Sequence, residues 1–338
     1  MKAAVLTQFG NIDKAFQIKE VDKPSPTDTQ VLIEVDGFGL NYADIMAIQG
    51  NYKECPSLPA IIGYDVVGKI VEIGNKVDEF QIGDRVTAMT RFGGYAEFAV
   101  TESLACTKIP SNLSTSKAMA ITTQYCTAYY CFNEVVNIYK GDKILIHAAA
   151  GGVGTAFIQL AKERGCEIFA TCGSDDKVTY LKTLGIQHVI NYNKLDFSEE
   201  ITRITNGSGI DVIFDAVGGE SVKKGVKLLS PTGKIIVFGA ASITSLGFFK
   251  KIRTVLKFGF YHPIQFIGTS KSMIGVNMLK VGDYKPKLLN KCLHGVVNLI
   301  TEGKLDPIAD KEFHISELTN ALAYLKNRKS KGKITVKW

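Results

Sequence analysis

The chain lacks clusters of cysteine and histidine that could form disulfides or metal centres. It has seven cysteines and five histidines among 338 residues. No two cysteines form a Cys-x-x-Cys pair, and the histidines are dispersed. An odd, scattered set of cysteines argues against a disulfide framework and against a zinc knuckle. A reducing compartment fits this pattern, so we expect a cytoplasmic protein.

Long apolar runs, internal repeats and low-complexity tracts are also missing. No run of about 18 apolar residues lacks a charged or polar break, which argues against a transmembrane helix. Residues 1–6 enter strand-like sequence directly, without the pattern of a signal peptide. We therefore expect neither a membrane span nor a leader sequence.

Composition and charge are those of an ordinary globular protein. Hydrophobic residues make up 46% of the chain and charged residues 22%, and the length suggests two domains. The net charge is +7, with basic residues concentrated only at 250–257 and 326–333. Such a modest excess suits a phosphate-rich ligand at least as well as nucleic acid. Since no RNA-recognition motif is present, nucleic-acid binding is a weak alternative.

The predicted secondary structure changes near residue 115. Short strands with glycine corners precede this point and indicate a compact, barrel-like β fold. Strand candidates in that part are residues 30–36, 61–73, 81–87 and 93–100. Residues 116–130 have helical character, and strands and helices alternate from 143 to 278, which is typical of a doubly wound parallel sheet. After a helix over 286–301 and another over 317–326, the tail ends in a strand over 333–336.

A β-rich part, an alternating α/β part and a final strand follow one another along the chain. This order predicts that a nucleotide-binding domain is inserted in a β-rich domain. The predicted boundaries are residues 1–122 and 283–338 for the β-rich domain, and 123–282 for the inserted α/β domain.

A dinucleotide-binding fingerprint lies at residues 143–162, where an apolar strand is followed by a glycine-rich tight turn and then by a helix. The motif reads A-x-G-x-x-G, because Ala149 takes the first position. Gly151 lets the backbone approach a pyrophosphate, and Gly154 lets the helix pack close to the strand. The helix N-terminus then offers N–H groups and a positive dipole end. A tight strand–helix turn uses glycine even without a ligand, so the motif alone leaves that alternative open.

The next strand, residues 167–172, ends without an acidic residue. NAD-binding proteins place a carboxylate there to bind the adenosine ribose. Here Asp175 and Asp176 come late and Lys177 follows. A missing carboxylate beside a cation favours a 2′-phosphate, and hence NADP(H). The alternative is that both aspartates cap the following helix and Lys177 is solvated.

Six segments together resemble the zinc-free medium-chain dehydrogenase/reductases of the quinone oxidoreductase (zeta-crystallin) group, over essentially the whole chain. They are residues 39–44, 63–74, 83–86, 147–154, 215–219 and 332–333. A basic and apolar insertion at about 243–272 resembles the branch that contains the vesicle amine transport protein homologue.

The resemblance implies an α/β fold, in which a Rossmann domain is inserted in a GroES-like catalytic domain. It further implies a cleft between the domains, a homodimer and NADPH as cofactor. The family's 2′-phosphate contacts match Lys177, Tyr192 and Arg328. Gly239, Ala240 and Val276 follow or form late strands of the sheet, so we expect them near the nicotinamide. The full set of predicted cofactor-binding residues is Ala150, Gly151, Gly152, Val153, Gly154, Gly173, Ser174, Lys177, Tyr192, Val217, Gly239, Ala240, Val276 and Arg328.

The zinc-dependent members of the family carry a catalytic cysteine and a Gly-His-Glu triplet. Those positions read Asn41 and Gly63-Tyr64-Asp65 here, and the four-cysteine lobe after Arg85 is missing. We therefore expect no catalytic or structural zinc. Hydrogen-bond donors must then polarise the substrate, which favours an acceptor that is already electrophilic, namely a quinone or an α,β-unsaturated carbonyl.

The resemblance places four residues near the nicotinamide: Asn41, Asp44, Tyr52 and Thr127. Tyr52 is the first candidate for a hydrogen-bond donor and Asn41 the second. Each has a structural alternative, since Asn41 can hold its loop, Asp44 can cap a short helix, and Tyr52 can be an exposed loop aromatic.

A non-catalytic function is the main alternative: an NADPH-binding protein with a membrane-associated role. Residues 248–261 mix cations with aromatic side chains, and such a stretch can lie on an anionic membrane. Its helical periodicity favours instead a helix that covers the cleft or contacts a second subunit.

Overall fold

The computed structural model describes residues 1–239 and 256–338, which divide into two compact units. The first unit comprises residues 1–127 and 278–338, and the second comprises residues 128–277. Two features predicted from the sequence, Ala240 and residues 243–255 of the basic and apolar insertion, lie outside the described residues.

The N-terminal part of the first unit consists of short strands joined by turns. Its elements are β1 (Lys2–Leu6), α1 (Ile12–Ala15), β2 (Phe16–Glu20), β3 (Gln30–Leu40), α2 (Tyr42–Ile48), β4 (Ala60–Ile61), β5 (Asp65–Ile73), β6 (Arg85–Met89), β7 (Phe98–Glu102) and β8 (Cys106–Lys108). Their inward side chains, such as Val31, Ile33 and Phe38, form one buried apolar cluster. Consecutive residues 31–33 of β3 and 65–68 of β5 are buried, so these two strands are covered on both faces over those parts.

A continuous helical segment follows, as the sequence predicts, but it is not regular. It runs through α3 (Thr115–Ala120), a π-helical stretch (Ile121–Tyr125), α4 (Cys126–Tyr129) and a second π-helical stretch (Tyr130–Val135). A π-helical turn inserts one extra residue per turn and re-aims the side chains that it carries. Thr123, at the centre of the first stretch, is re-aimed in this way.

The second unit is built on a six-stranded sheet in which every pair of neighbours is parallel. Its elements are β9 (Lys143–Ile146), α5 (Gly152–Arg164), β10 (Glu167–Cys172), α6 (Asp175–Thr183), β11 (His188–Asn191), α7 (Phe197–Ile204), β12 (Ile210–Asp215), α8 (Glu220–Leu228), β13 (Leu229–Val237), α9 (Pro263–Ile267) and β14 (Ser272–Gly275). The strand order is β11-β10-β9-β12-β13-β14: successive strands are added on one side of β9 up to β11 and on its other side from β12 onward, as in a Rossmann fold. The predicted doubly wound parallel sheet is confirmed.

The chain then returns to the first unit. The returning elements are α10 (Met278–Tyr284), α11 (Pro286–Thr301), β15 (Ala309–His314), α12 (Leu318–Lys326) and β16 (Lys333–Lys337). β16 pairs antiparallel with β3 and completes the sheet β15-β16-β3-β5-β6-β8, with β7 also paired to β3. A second sheet, β2-β1-β4, has three strands. The predicted insertion of the Rossmann domain in a GroES-like domain is therefore confirmed.

Three predicted strands are shorter in the structure than in the sequence prediction. The candidate over 81–87 is strand only from Arg85 onward. The candidate over 61–73 is divided into β4 and β5, because Gly63 adopts a φ of +108° that ends the extended conformation. The candidate over 93–100 is strand only from Phe98 onward. Among the described residues, no helix is both long and apolar enough to cross a lipid bilayer.

Candidate functional site

The candidate pyrophosphate site of the second unit is the turn between β9 and α5. Ala148 has a left-handed φ of 53°, and Gly151 is the N-cap of the helix. A Cβ on Gly154 would lie 2.6 Å from the Ala149 Cα, so only glycine allows the helix to pack this closely. The first turn of α5 carries no acidic side chain that would compete with a phosphate for its N–H groups.

The end of β10 forms the second part of this candidate site. A Cβ on Gly173 would lie 2.4 Å from the Tyr192 hydroxyl, so Tyr192 covers a gap that only glycine leaves. Ser174 is the N-cap of α6, and Lys177 lies in the first turn of that helix. This arrangement offers a hydroxyl, a phenol and a cation on neighbouring elements of one unit, a set that fits a phosphate group.

Asp175, the first of the two aspartates after β10, does not replace the missing acidic residue. Asp175 is held by the amide of Asn191 at 2.9 Å and by the ammonium of Lys194 at 2.6 Å. The Lys194 ammonium and the Asn191 amide hold the pKa of the Asp175 carboxyl below its usual range. Asp175 is thus already paired and does not present a carboxylate for a ribose diol.

The other predicted cofactor residues of this unit follow the carboxyl ends of the same sheet, where ligands of such folds bind. The Val217 N–H donates to the Asp215 carboxylate at 2.6 Å, and the Val276 N–H donates to the Val237 carbonyl at 2.9 Å. A Cβ on Gly239 would lie 2.6 Å from the Ala216 carbonyl oxygen. Ala150, Gly152 and Val153 lie in the β9–α5 turn and at the start of α5. Arg328 belongs to the first unit, where it follows α12 with a φ of 55°.

In the first unit, Asn41 lies in a closed polar network. Its Oδ1 accepts from the Thr123 hydroxyl and the Lys333 ammonium, both at 2.9 Å, and its Nδ2 donates to Asp65 at 2.7 Å. Lys333 also forms an ion pair with Asp65, and neither of these two side chains has any solvent exposure. The Thr123 hydroxyl also lies 2.8 Å from the Asp65 Oδ2, so its one proton is shared between Asn41 and Asp65. Every polar atom of the Asn41 side chain is therefore hydrogen-bonded within the protein. This agrees with the alternative in which Asn41 holds its loop in place.

This network occupies the sequence positions at which the zinc-dependent relatives carry their cysteine and their Gly-His-Glu triplet. The Lys333 ammonium already balances the Asp65 carboxylate, so a metal cation at this place would be repelled by a fixed positive charge. Within residues 1–239 and 256–338, no three His, Cys, Asp or Glu side chains are grouped so that they could hold a metal ion.

Asp44 is fully buried one helical turn after Asn41. Its Oδ2 accepts the backbone N–H of Asn41 at 2.7 Å, so the capping contact considered from the sequence is present. Burial is the largest influence on its carboxyl, and together with the nearby charge of Asp65 it raises the pKa of Asp44 to about 7. At neutral pH the carboxyl is therefore partly protonated.

Tyr52 is half-buried and packs against the core of the first unit. Its ring meets that of Tyr64 edge-on, with 5.9 Å between the centroids. Burial, and then the charge of Glu54, raise the pKa of Tyr52 to about 12, so its hydroxyl stays protonated at neutral pH. These contacts distinguish it from an exposed loop aromatic. The fourth residue, Thr127, donates its hydroxyl to the Thr123 carbonyl within the helix.

Five residues at this site were not among the site residues predicted from the sequence: Tyr64, Asp65, Tyr95, Thr123 and Lys333. Tyr64 and Lys333 lie inside motifs that carry the resemblance, but no local pattern shows that Lys333 meets Asp65. Tyr95 is buried and stacks on Phe38, with ring centroids 4.3 Å apart. A lone buried tyrosine in a strand-rich region carries no signal of its own.

Two family descriptions match the chain. "Zinc-binding dehydrogenase" matches residues 152–291, and "Alcohol dehydrogenase GroES-like domain" matches residues 27–111. The chain is 32% identical over 339 residues to the synaptic vesicle membrane protein VAT-1 homolog of Danio rerio, which covers 98% of this chain and 69% of that protein.

Solved structures show the same fold over the whole chain. The CurK enoyl reductase superposes with a TM-score of 0.86 at 28% identity, over 99% of this chain and 98% of its own. The Escherichia coli quinone oxidoreductase complexed with NADPH superposes with a TM-score of 0.87 over 100% of both chains. At 22% identity, this second likeness shows the fold alone.

Proposed function

The chain belongs to the medium-chain dehydrogenase/reductase superfamily, in the group of quinone oxidoreductases and enoyl reductases, and on this premise we propose that it is an NADPH-dependent, metal-independent reductase. Its substrate is a quinone or an α,β-unsaturated carbonyl. The observation that carries the proposal is the Asn41–Asp65–Thr123–Lys333 network, which puts an internal ammonium where the zinc-dependent relatives have metal-binding side chains.

The bound NADPH supplies the hydride. The residues of the second unit would hold the cofactor: the N–H groups at the start of α5 would bind its pyrophosphate, and Ser174, Lys177 and Tyr192 would bind its 2′-phosphate. The pairing of Asp175 with Asn191 and Lys194 supports the choice of NADPH over NADH, because this carboxylate is already engaged and is not available to the ribose hydroxyls.

We expect the variant Lys177→Ala to bind NADPH about tenfold more weakly, since it loses one charge-assisted contact to the 2′-phosphate. Its affinity for NADH will be unchanged. Titration calorimetry of the wild type, Lys177→Ala and the control Lys182→Ala, a lysine in the last turn of the same helix, measures both affinities. An equal loss of affinity for NADPH and NADH would argue against the 2′-phosphate contact.

Without a metal, the developing negative charge on the substrate oxygen must be stabilised by hydrogen bonds. Tyr52 is the donor that we propose, because its hydroxyl is protonated at neutral pH and its ring is held by Tyr64. Asn41 has a supporting role, since its side-chain atoms are engaged in the buried network. Simple aldehydes lack the electrophilic conjugated system and will be poor substrates.

We expect Tyr52→Phe to lower kcat about 100-fold, the usual effect of removing a proton donor. Asn41→Ala will also lower it, because the loop before α2 loses its anchor. The control is Tyr284→Phe, which removes the same hydroxyl from a residue that is 75% exposed. Full reductase rates in both Tyr52→Phe and Asn41→Ala would show that these residues do not support the reaction.

The quaternary structure that we propose is a homodimer formed at the edge of the Rossmann sheet. Strand β14 is an edge strand, and the segment before it exposes Phe260, Ile264 and Ile267 by 82%, 69% and 76%. Exposed apolar side chains beside a strand edge that pairs with none of the described residues support a protein contact there.

A further inference from the structure

The carboxylate of Asp215 lies at the carboxyl end of β12 and is fully buried in the second unit. Its Oδ1 accepts the backbone N–H groups of Val217 and Gly218 at 2.6 and 2.7 Å. Its Oδ2 accepts the hydroxyl of Ser221, in the first turn of α8, at 2.5 Å. One side chain therefore holds the turn over residues 216–219 and the helix that follows it, through hydrogen bonds to an ionised acceptor, which are among the stronger ones.

The turn over residues 216–219 has a backbone that needs such support. Gly218 and Gly219 both have a left-handed φ, of 76° and 70°. Glycine loses more conformational freedom on folding than any other residue, so two in succession must be fixed by contacts from elsewhere. The hydrogen bonds to the Asp215 carboxylate fix this turn in one conformation.

A second loop at the same edge of the sheet is placed by this turn. The Phe238 N–H donates to the backbone carbonyl of Asp215 at 3.0 Å. Gly239 then packs so tightly that a Cβ on it would lie 2.6 Å from the Ala216 carbonyl oxygen. The turn after β12 therefore sets the position of the loop after β13. Both loops carry a cofactor-binding residue predicted from the sequence, Val217 in the first and Gly239 in the second.

Asp215 also lies beside the strand that leads into the candidate pyrophosphate site. The Nε2 of His147, which follows β9, lies 4.0 Å from the Asp215 Oδ2. The His147 Nδ1 lies 2.9 Å from the Thr171 hydroxyl, near the end of β10. Buried side chains at the carboxyl ends of three neighbouring strands therefore form one row along the edge at which such sheets bind their ligands.

We propose that Asp215 is a positioning residue for the nicotinamide cofactor: its carboxylate holds the 216–219 turn, and with it the loop after β13, in the conformation that binds NADPH. This inference rests on the cofactor binding that the proposed function requires. Asp215 acts through the backbone of Val217 and Gly218 and does not itself contact the cofactor. Because the contacts proposed for the 2′-phosphate lie at other strand ends, loss of the carboxylate affects NADPH and NADH alike.

The first test is the affinity for NADPH and for NADH, measured by titration calorimetry. Asp215→Ala will bind both cofactors about tenfold more weakly and by the same factor, because the turn must then be ordered on binding. Asp211→Ala is the matched control, on the same strand but near its amino end. The Asp211 carboxylate likewise accepts a backbone N–H, from Lys143 at 2.8 Å, and a hydroxyl, from Ser230 at 2.7 Å. This control will keep the wild-type affinities.

The conservative variant Asp215→Asn will restore binding. Its carboxamide oxygen still accepts the N–H groups of Val217 and Gly218. Its Nδ2 donates to the Ser221 oxygen, whose own proton turns to the Gly218 carbonyl at 3.2 Å. We expect affinities for both cofactors within about threefold of the wild type.

Hydrogen–deuterium exchange followed by mass spectrometry needs no variant. In the cofactor-free wild type, the amides of Val217 and Gly218 will exchange slowly, because the Asp215 carboxylate accepts both. In Asp215→Ala they will exchange about tenfold faster and become protected only when NADPH is added. If Asp215→Ala does not fold, the wild type still decides, since exchange at the rate of an unstructured peptide overturns the proposal.

The outcomes separate the two proposals. Three results overturn the positioning role alone: wild-type affinity in Asp215→Ala, a loss as large in Asp211→Ala, or a loss in Asp215→Asn as large as in Asp215→Ala. A loss confined to NADPH also overturns it. Lack of NADPH binding by the wild type overturns the proposed function, and the positioning role with it.

Discussion

Replacing Lys333 by methionine will destabilise the fold by about 3–5 kcal/mol, the usual cost of removing one partner of a buried ion pair. The Asp65 carboxylate would remain fully buried with hydrogen bonds from Asn41 and Thr123 but without a countercharge. Only glycine at position 39 leaves room for the Lys333 side chain, because a Cβ on Gly39 would lie 2.3 Å from the Lys333 Cε. Urea unfolding, followed by circular dichroism, measures the loss.

Two further variants identify the cause of that loss. The double variant Asp65→Asn/Lys333→Met removes the charge as well, so it will be more stable than Lys333→Met alone. Lys337→Met removes an exposed ion pair to Glu312 from the same strand and will cost less than about 1 kcal/mol. If the double variant were less stable than Lys333→Met, the uncompensated charge would not be the cause.

The variant Asp44→Asn will gain stability relative to the wild type as the pH rises. The ordinary pKa of an aspartate is about 4, and burial raises that of Asp44 to about 7 in the folded protein. Between these two values the folded state binds more protons than the unfolded state, so wild-type stability falls with rising pH. The total is about 4 kcal/mol, from roughly three pKa units at about 1.4 kcal/mol each. Asparagine does not titrate, so the variant escapes this loss.

Urea unfolding of the wild type and Asp44→Asn at about pH 4 and about pH 8 measures the effect. Asp142→Asn is the control, since its carboxylate lies at an exposed turn and also accepts a backbone N–H. A difference in unfolding free energy between wild type and Asp44→Asn that stayed constant with pH would show that Asp44 is ionised in the folded protein throughout.

The Rossmann domain could be predicted from the sequence because its signals are local. Apolar strands such as β9 and β12 are buried on both faces and read as continuous runs, and the glycines at 151 and 154 follow β9 directly. The lack of an acid after β10 was likewise visible, although the pairing of Asp175 with Lys194 was not.

The polar network of the first unit could not be predicted in the same way. Lys333 and Asp65 are 268 positions apart and meet only because β16 returns to pair with β3 beside β5. Thr123 reaches them from a π-helical stretch that no sequence period signals. Whether Asp44 is exposed or buried depends equally on this packing, and its burial is what raises its pKa.

Acceptor-dependent oxidation of NADPH and NADH, after dialysis against a metal chelator, tests the proposed function most directly. The acceptors are naphthoquinone, benzoquinone, a linear enone and a simple aldehyde. We predict turnover with NADPH and at least one quinone or enone, little turnover with NADH, and none with the aldehyde. Turnover that is lost on chelation and restored by zinc, or tight NADPH binding without turnover on any acceptor, would contradict the proposal of a metal-independent reductase.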